Sequence, residues 1–277
     1  STGTANVAVG RRALYLNDTG SYNTSLGYQS LYSNTTASFN TAVGYQALYA
    51  NTTGSLLTAI GYRALSANTG TNNTAVGWGA LEDNTTGVSQ TAIGQSALGD
   101  NTTGTENTAV GQQALRASTT GSYNTALGKD ALRYNTTASN NIAVGRRALF
   151  TNTTGTNNVA LGTDALKDNT TANNNVAVGY QALFDNTTGY SNTAIGYGAL
   201  SDNTTGITNS VVGQNCGRLN TSGTNNHSFG FRTSYSNNVG NNNNAFGTDA
   251  LYSNTASNNN AFGKEALYQN TSGTSNV

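Results

Sequence analysis

The apolar residues of this chain fall in short clusters that recur at a fixed interval. A small apolar run such as Thr41-Ala42-Val43-Gly44 is followed by an Ala47-Leu48 pair and then by the polar turn Asn51-Thr52-Thr53-Gly54. The glycine that closes the apolar run recurs at Gly10, Gly27, Gly44, Gly61, Gly77, Gly94, Gly111, Gly128, Gly145, Gly162, Gly179, Gly196, Gly213, Gly230, Gly247 and Gly263. Successive glycines are 17 residues apart, except for 16 at Gly61 to Gly77 and Gly247 to Gly263. A constant period of this kind marks a solenoid or array. Seventeen residues are too few for a helix pair, and the Gly and Asn-Thr-Thr clusters would break a helix within three turns. The pattern therefore predicts short strands in the apolar run and around the Ala-Leu pair, joined by turns at the Asn-Thr-Thr-Gly clusters. The expected fold is an all-β parallel β-solenoid (β-roll) of sixteen 17-residue coils, a single repeat domain over 1–277, roughly 75 Å long at strand spacing.

Stacking of equal coils gives the polar positions a role. An Asn lies seven residues after each marker glycine, with Ser118 the exception, and a second Asn precedes most apolar runs. Repeated at strand spacing, these amides are expected to form ladders near the coil corners. In the run Thr-Ala-Val, Ala and Val point to opposite sides of the sheet, so one apolar face is left over once the coil is filled. With one Leu and one Val-type residue per coil the core is thin. The Ala-bearing face is expected to pack against copies of the same chain, giving a closed homo-oligomer around the long axis.

Composition narrows the function classes. Twelve basic residues balance twelve acidic ones, so there is no charge footprint for nucleic acid, and no apolar run approaches a membrane span. Both ends fall inside the repeat and the chain contains no Met, so the sequence is expected to be a segment of a longer or processed protein. One Cys rules out an intrachain disulfide framework. No cofactor is called for.

The stretches NTAVGYQALYANTTGS (residues 40–55) and NTAIGYGALSDNTTG (residues 192–206) resemble the shaft repeats of phage tail fibres and related bacterial surface fibres. More distantly, they are similar to the head repeats of trimeric autotransporter adhesins, whose period is shorter. The resemblance covers essentially the whole chain. It implies a homotrimer of β-solenoid strands, extracellular, at a cell surface or on a virion, serving as a stalk or adhesive surface.

Candidate sites are few. Cys216 and His227 are the only residues of their types, and they fall in different slots of adjacent coils in a stretch, 213–243, whose coils are degenerate because Gly217 and Ser234 replace the usual Leu. A Cys-His pair for nucleophilic catalysis is conceivable there, but the expectation is that the chain is not an enzyme. Tyr28, Tyr45, Tyr62 and Trp78 follow consecutive marker glycines, as do Tyr180, Tyr197 and later Phe231. Such a row is either a sugar-stacking face or a ladder of rings stacked on one another. Asp83 and Asp100, and then Asp168, Asp185 and Asp202, recur in one slot and are either solvated or a cation row, although no calcium-roll pattern is present. Twelve turn asparagines form N-x-S/T sequons, among them Asn34, Asn51, Asn84, Asn101, Asn135, Asn152, Asn169, Asn186 and Asn203. They are glycosylation acceptors if the turns project outward. Thr pairs in the turns resemble ice-binding chemistry, but they do not lie as T-x-T along a strand. The expected function is a structural fibrous shaft supporting adhesion or receptor binding; the alternative is a carbohydrate- or ice-binding solenoid.

Overall fold

The computed structural model describes residues 2–277, and these form an all-β parallel β-solenoid of about sixteen turns. They divide into two compact units, one ending at Asn140 and one spanning Asn141–Val277. In the first unit, one strand per coil carries the ladder: β1 (Val7–Val9), β2 (Thr24–Leu26), β3 (Thr41–Val43), β4 (Thr58–Ile60), β5 (Thr74–Val76), β6 (Thr91–Ile93), β7 (Thr108–Val110) and β8 (Thr125–Leu127). Neighbours pair in parallel and in register, for example Thr41 with Thr58 and Ala42 with Ala59. The second unit repeats the scheme with β9 (Ile142–Val144), β10 (Val159–Leu161), β11 (Val176–Val178), β12 (Thr193–Ile195), β13 (Ser210–Val212), β14 (His227–Phe229) and β15 (Asn244–Phe246). It ends with β16 (Ser253–Asn254), β17 (Asn260–Phe262) and β18 (Gln269–Asn270), where β16 and β18 form a separate two-stranded pair.

Each main strand is only three residues long because β-branched Thr, Val and Ile favour extended backbone and the following glycine ends it. Gly44 has φ +134, and a Cβ there would lie 2.4 Å from the Gly61 carbonyl oxygen in the next coil. Only glycine can make this approach.

The Ala-Leu segment differs from expectation. It is a run of turns rather than a second strand, with Gln46 at φ 53 and Leu48 at φ 54 in the left-handed region. Left-handed backbone costs an L-residue about 1–2 kcal/mol. Here it turns successive amides along the stacking direction: Gln46 N–H donates to Tyr28 O at 2.9 Å in the preceding coil, and Leu48 N–H to Ala64 O at 3.0 Å in the following one. Backbone bonds between coils thus continue where regular strand stops.

The core also corrects the expected arrangement of faces. Ala42, Ala47 and Leu48 are all 0% exposed within one chain, and the same three slots are buried in coil after coil. The Ala-bearing face therefore fills the inside of the coil and is not a contact between chains. The larger Val, Ile, Leu or Phe two positions after Thr faces outward, because the coil is too narrow to admit it.

Departures in the core slots are compensated locally. In one coil Val211 and Cys216 replace two alanines while Gly217 replaces Leu, and a Cβ at Gly217 would lie 3.4 Å from Val211 Cγ1, so the larger neighbours take up the missing volume. In the next coil Ser228, Thr233 and Ser234 fill the slots. Ser228 Oγ–H donates to Ser234 Oγ at 2.7 Å and Thr233 Oγ1–H to Gly247 O at 2.6 Å, so the polar substitutes pair with partners. β13, β14 and β15 keep their register through the degenerate stretch 213–243. The two 16-residue intervals lose their residue at the turn: Asn68 Nδ2 reaches Gly70 O, two residues on, where Asn51 reaches Gly54 O, three residues on.

Candidate functional site

The turn asparagines point inward. Asn34, Asn51, Asn84, Asn101, Asn135, Asn152, Asn169, Asn186 and Asn203 are all 0% exposed. Each amide nitrogen donates to the carbonyl three residues on, as Asn186 does to Gly189 O at 2.9 Å, and most also donate to the equivalent Asn of the preceding coil, as Asn203 does to Asn186 Oδ1 at 2.8 Å. The second Asn row closes the same corner from the other side: Asn40 Nδ2–H donates to Gly54 O at 3.0 Å, and Asn23 Oδ1 accepts Asn40 N–H at 3.0 Å. The expected amide ladders are present, and they lie within the coil. A glycan on Nδ2 needs the turn to project outward, and in this fold that nitrogen is buried and fully engaged. The Thr in the middle of most sequons has its own structural task, since Thr35 Oγ1–H donates to Thr52 O at 3.1 Å in the next coil.

The aromatic row stacks on itself. Tyr28 and Tyr45 have ring centroids 5.4 Å apart, Tyr45 and Tyr62 5.1 Å, and Tyr62 and Trp78 6.1 Å, with interplanar angles of 10° or less. At Tyr45 and Tyr62, inside the row, both ring faces that would stack on a sugar are occupied by neighbouring rings, leaving the edges to solvent. Parallel rows that the sequence reading passed over behave alike: Tyr15, Tyr32 and Tyr49 form one, and Tyr235, Tyr252 and Tyr268 another. The signal for them was the same 17-residue recurrence in a neighbouring slot.

Cys216 and His227 are not brought together. Cys216 is buried, and its Sγ–H donates to Ser228 O at 3.3 Å. Burial pushes the thiol up to about 12, so it stays protonated at neutral pH. His227 lies on the outward side of β14, opposite the inward Ser228.

The aspartates form loose rows along the stack. Asp185 is raised above the ordinary carboxylate value by burial first, and then by the charges of Asp202 and Asp168. Asp168 is met by Lys167 Nζ at 3.0 Å. Among the described residues no three His, Cys, Asp or Glu side chains converge on a metal position.

What remains is the outward face of the strands. In the first unit it carries Thr24 with Leu26, Thr41 with Val43, Thr58 with Ile60, and so on to Thr125 with Leu127, with the intervening Ala or Ser turned inward. In the second unit it carries Ile142 with Val144 through to Asn260 with Phe262. Large side chains on it stand well out, such as Ile60 at 40%, Leu161 at 42% and Phe262 at 68% exposed. Neither row holds an aspartate, glutamate, lysine or arginine. Eight coils of a face two residues wide amount to roughly 300 Å² per unit, uncharged but only partly apolar, because Thr, Ser, His or Asn fills one of the two rows in most coils. No pocket opens on the described surface.

Neither a scan against models of known protein families nor a search of curated proteins returns a match to this chain.

Proposed function

We propose that this chain is a structural shaft: a homotrimeric, fibrous β-solenoid, extracellular, on a cell surface or a virion, that holds an adhesive or receptor-binding element at a distance. The observation that carries this reading is the outward strand face, an uncharged strip with an exposed Val, Ile, Leu or Phe repeated coil after coil. A strip of this kind is suited to lengthwise burial between chains, and closed symmetry would leave none of it exposed. The interior supports the same reading. Amide ladders and inter-coil backbone bonds tie each coil to the next, so the repeat supplies length and stiffness. The resemblance of NTAVGYQALYANTTGS to tail-fibre and surface-fibre repeats supplies the extracellular setting.

One observation favours a second reading. Thr forms one outward row along β2 to β8, on strands rather than at turns, so an ice-binding reading finds Thr at strand spacing, although each Thr is followed on that face by an aliphatic residue and not by a second Thr. The aromatic rows give carbohydrate binding less support, since both faces of Tyr45 and Tyr62 are taken by neighbouring rings.

Excision of single complete coils separates the readings. If the chain is a shaft, removing residues 41–57, or in a second variant residues 176–192, leaves an assembled particle one coil shorter with unchanged stoichiometry. If one such deletion abolishes a glycan- or ice-binding activity that the intact chain possesses, the chain is a binding module and the shaft reading fails.

A further inference from the structure

Equivalent tyrosines of neighbouring coils meet ring to ring on the surface of both units. In the first unit Tyr15, Tyr32 and Tyr49 form one row and Tyr28, Tyr45 and Tyr62 a second. In the second unit Tyr180 pairs with Tyr197, and Tyr235, Tyr252 and Tyr268 form a further row. In every pair the ring centroids are 5.0 to 5.4 Å apart and the planes lie within 18° of parallel. Both rings of a pair leave the backbone from the same slot of the repeat, so their phenol edges lie side by side. The rest of the chain offers an oxidant little else. Thioethers and accessible thiolates are oxidised readily, but the chain contains no Met and Cys216 is buried. The single Trp, Trp78, is itself stacked at the end of the Tyr62 row. An oxidising equivalent that reaches this surface therefore ends on a phenol.

We propose that these rows are oxidative cross-linking sites, at which a peroxidase-type one-electron oxidant joins stacked tyrosines of neighbouring coils as dityrosine and staples coil to coil. The co-reactant is hydrogen peroxide. Each of two neighbouring phenols gives up one electron and its hydroxyl proton, leaving a radical shared between the oxygen and the ring carbons beside it. Two such carbons, one from each ring, form a carbon–carbon bond, and their hydrogens move to the two oxygens, which restores both phenols. In sum, one carbon–carbon bond replaces two carbon–hydrogen bonds, while two electrons and two protons reduce one hydrogen peroxide to two waters. Rings in contact along a row can exchange the electron vacancy, so the two oxidations need not strike adjacent rings. Exposure alone would select other residues. Tyr22, Tyr123 and Tyr190 are 58%, 55% and 48% exposed, against 42% for Tyr45. Tyr22, however, stacks on Phe39, the slot of Tyr123 holds Glu106 and Asn140 in the adjoining coils, and that of Tyr190 holds Asn173 and Ile207. None of the three has a phenol in its own slot next door. A dityrosine between coils closes a loop of one coil in the unfolded chain, so it stabilises by restricting that state. The proposal applies to a single chain or an assembly and does not rest on the shaft reading.

The test treats the full-length chain with a haem peroxidase and limiting hydrogen peroxide. It reads dityrosine emission, chain mass on a denaturing gel, and coupled peptides by mass spectrometry after digestion with a protease of broad specificity. The expected product has the mass of one chain, contains peptides that join tyrosines of one row in neighbouring coils, such as Tyr15 to Tyr32 and Tyr180 to Tyr197, each short of two hydrogen atoms, and melts above the untreated chain. A comparison variant carries Tyr32→Phe, Tyr45→Phe, Tyr180→Phe and Tyr252→Phe. These changes break every stacked tyrosine pair named above, keep a ring in each slot and leave Tyr22, Tyr123 and Tyr190 in place. The variant is expected to keep its β-sheet circular dichroism while its dityrosine emission falls to background. Undiminished emission from the variant, or coupled peptides drawn from Tyr22, Tyr123 or Tyr190, overturns the assignment to the rows. Chains of doubled mass on the denaturing gel place the coupling between chains and overturn the coil-to-coil staple. An unchanged melting temperature of the coupled chain overturns its stabilising role.

Discussion

Asn203 Nδ2 lies 2.8 Å from Asn186 Oδ1, and the same nitrogen donates to Gly206 O at 3.0 Å, so one buried amide closes its own turn and ties its coil to the one before. Repeated along the stack, this makes each ladder Asn a partner to two coils. Replacing Asn186 with Ala removes its bond to Gly189 O and orphans groups on both sides, at about 1–3 kcal/mol for each buried group left without a partner. The loss should be local. Hydrogen exchange of amides in residues 169–206 is expected to accelerate by tenfold or more while distant coils keep their protection. Asn186→Asp should be more disruptive at pH 7 than at pH 4, because the inward carboxylate cannot donate and must ionise in a buried place.

The marker glycines should tolerate no side chain. At Gly179, φ is +133 and an added Cβ would lie 2.4 Å from Gly196 O, a backbone atom that cannot swing away. Gly179→Ala is expected to disrupt the stack around β11 and β12 and to lower the melting temperature more than Leu183→Ala, which leaves a cavity worth about 2–5 kcal/mol. Equal melting temperatures for the two variants would contradict the close approach.

Cys216 gives a pH-dependent signature. Its folded pKa is pushed from 9.0 up to about 12 by burial, so the folded chain holds the proton to higher pH than the unfolded chain. Its contribution to stability is therefore level below about pH 9 and falls as the pH rises from there toward about 12. At pH 8 the thiol should resist a thiol-reactive dye in native buffer and react at once in denaturant. Rapid labelling of the native protein would show that the thiol is accessible.

Asp185 gives a signature of the same sign at lower pH. Its carboxyl is held above the ordinary 3.8, first by burial and then by Asp202 and Asp168. A raised folded pKa means that the carboxyl favours folding most when protonated, and that this advantage is lost as the pH rises through the folded pKa. Asp185→Asn should raise the melting temperature at pH 7, with the gain vanishing below pH 4. A destabilised variant at pH 7 would point to a bound cation at this row.

The aromatic row should act through stability. Tyr45 stacks on both Tyr28 and Tyr62, and each such contact is worth about 0.5–1.5 kcal/mol. Tyr45→Ala should weaken exchange protection of the coils around residues 28–62 without changing the response of the chain on a glycan array.

The period, the strand in each Thr-Ala-Val run and the amide ladders were legible in the sequence because each recurs in a fixed slot. The direction of the faces was not, since Ala42 and Val43 are both apolar and alternation alone does not say which is inside. The discriminating signal was size. The slot of Ala42 is filled by Ala or Ser in every coil but one, where Val211 answers Gly217, whereas the slot of Val43 ranges freely from Val to Phe. A close-packed interior does not tolerate such variation in volume, so the variable slot had to be outside. The sequons misled for a related reason: Asn51 recurs for the inside of the turn, and the spacing of an acceptor site arises only because an exposed Thr follows two residues later. The left-handed Leu48 had no sequence signal, because Leu is rarely placed there and only the inter-coil hydrogen bonds make it tenable.

The most direct measurement is the solution mass of the chain by light scattering under native conditions. The proposed trimeric shaft predicts a particle of three times the 28.5 kDa chain that does not dissociate on dilution. A stable particle of one chain would contradict it, and would leave the outward Thr and aliphatic rows facing water or ice.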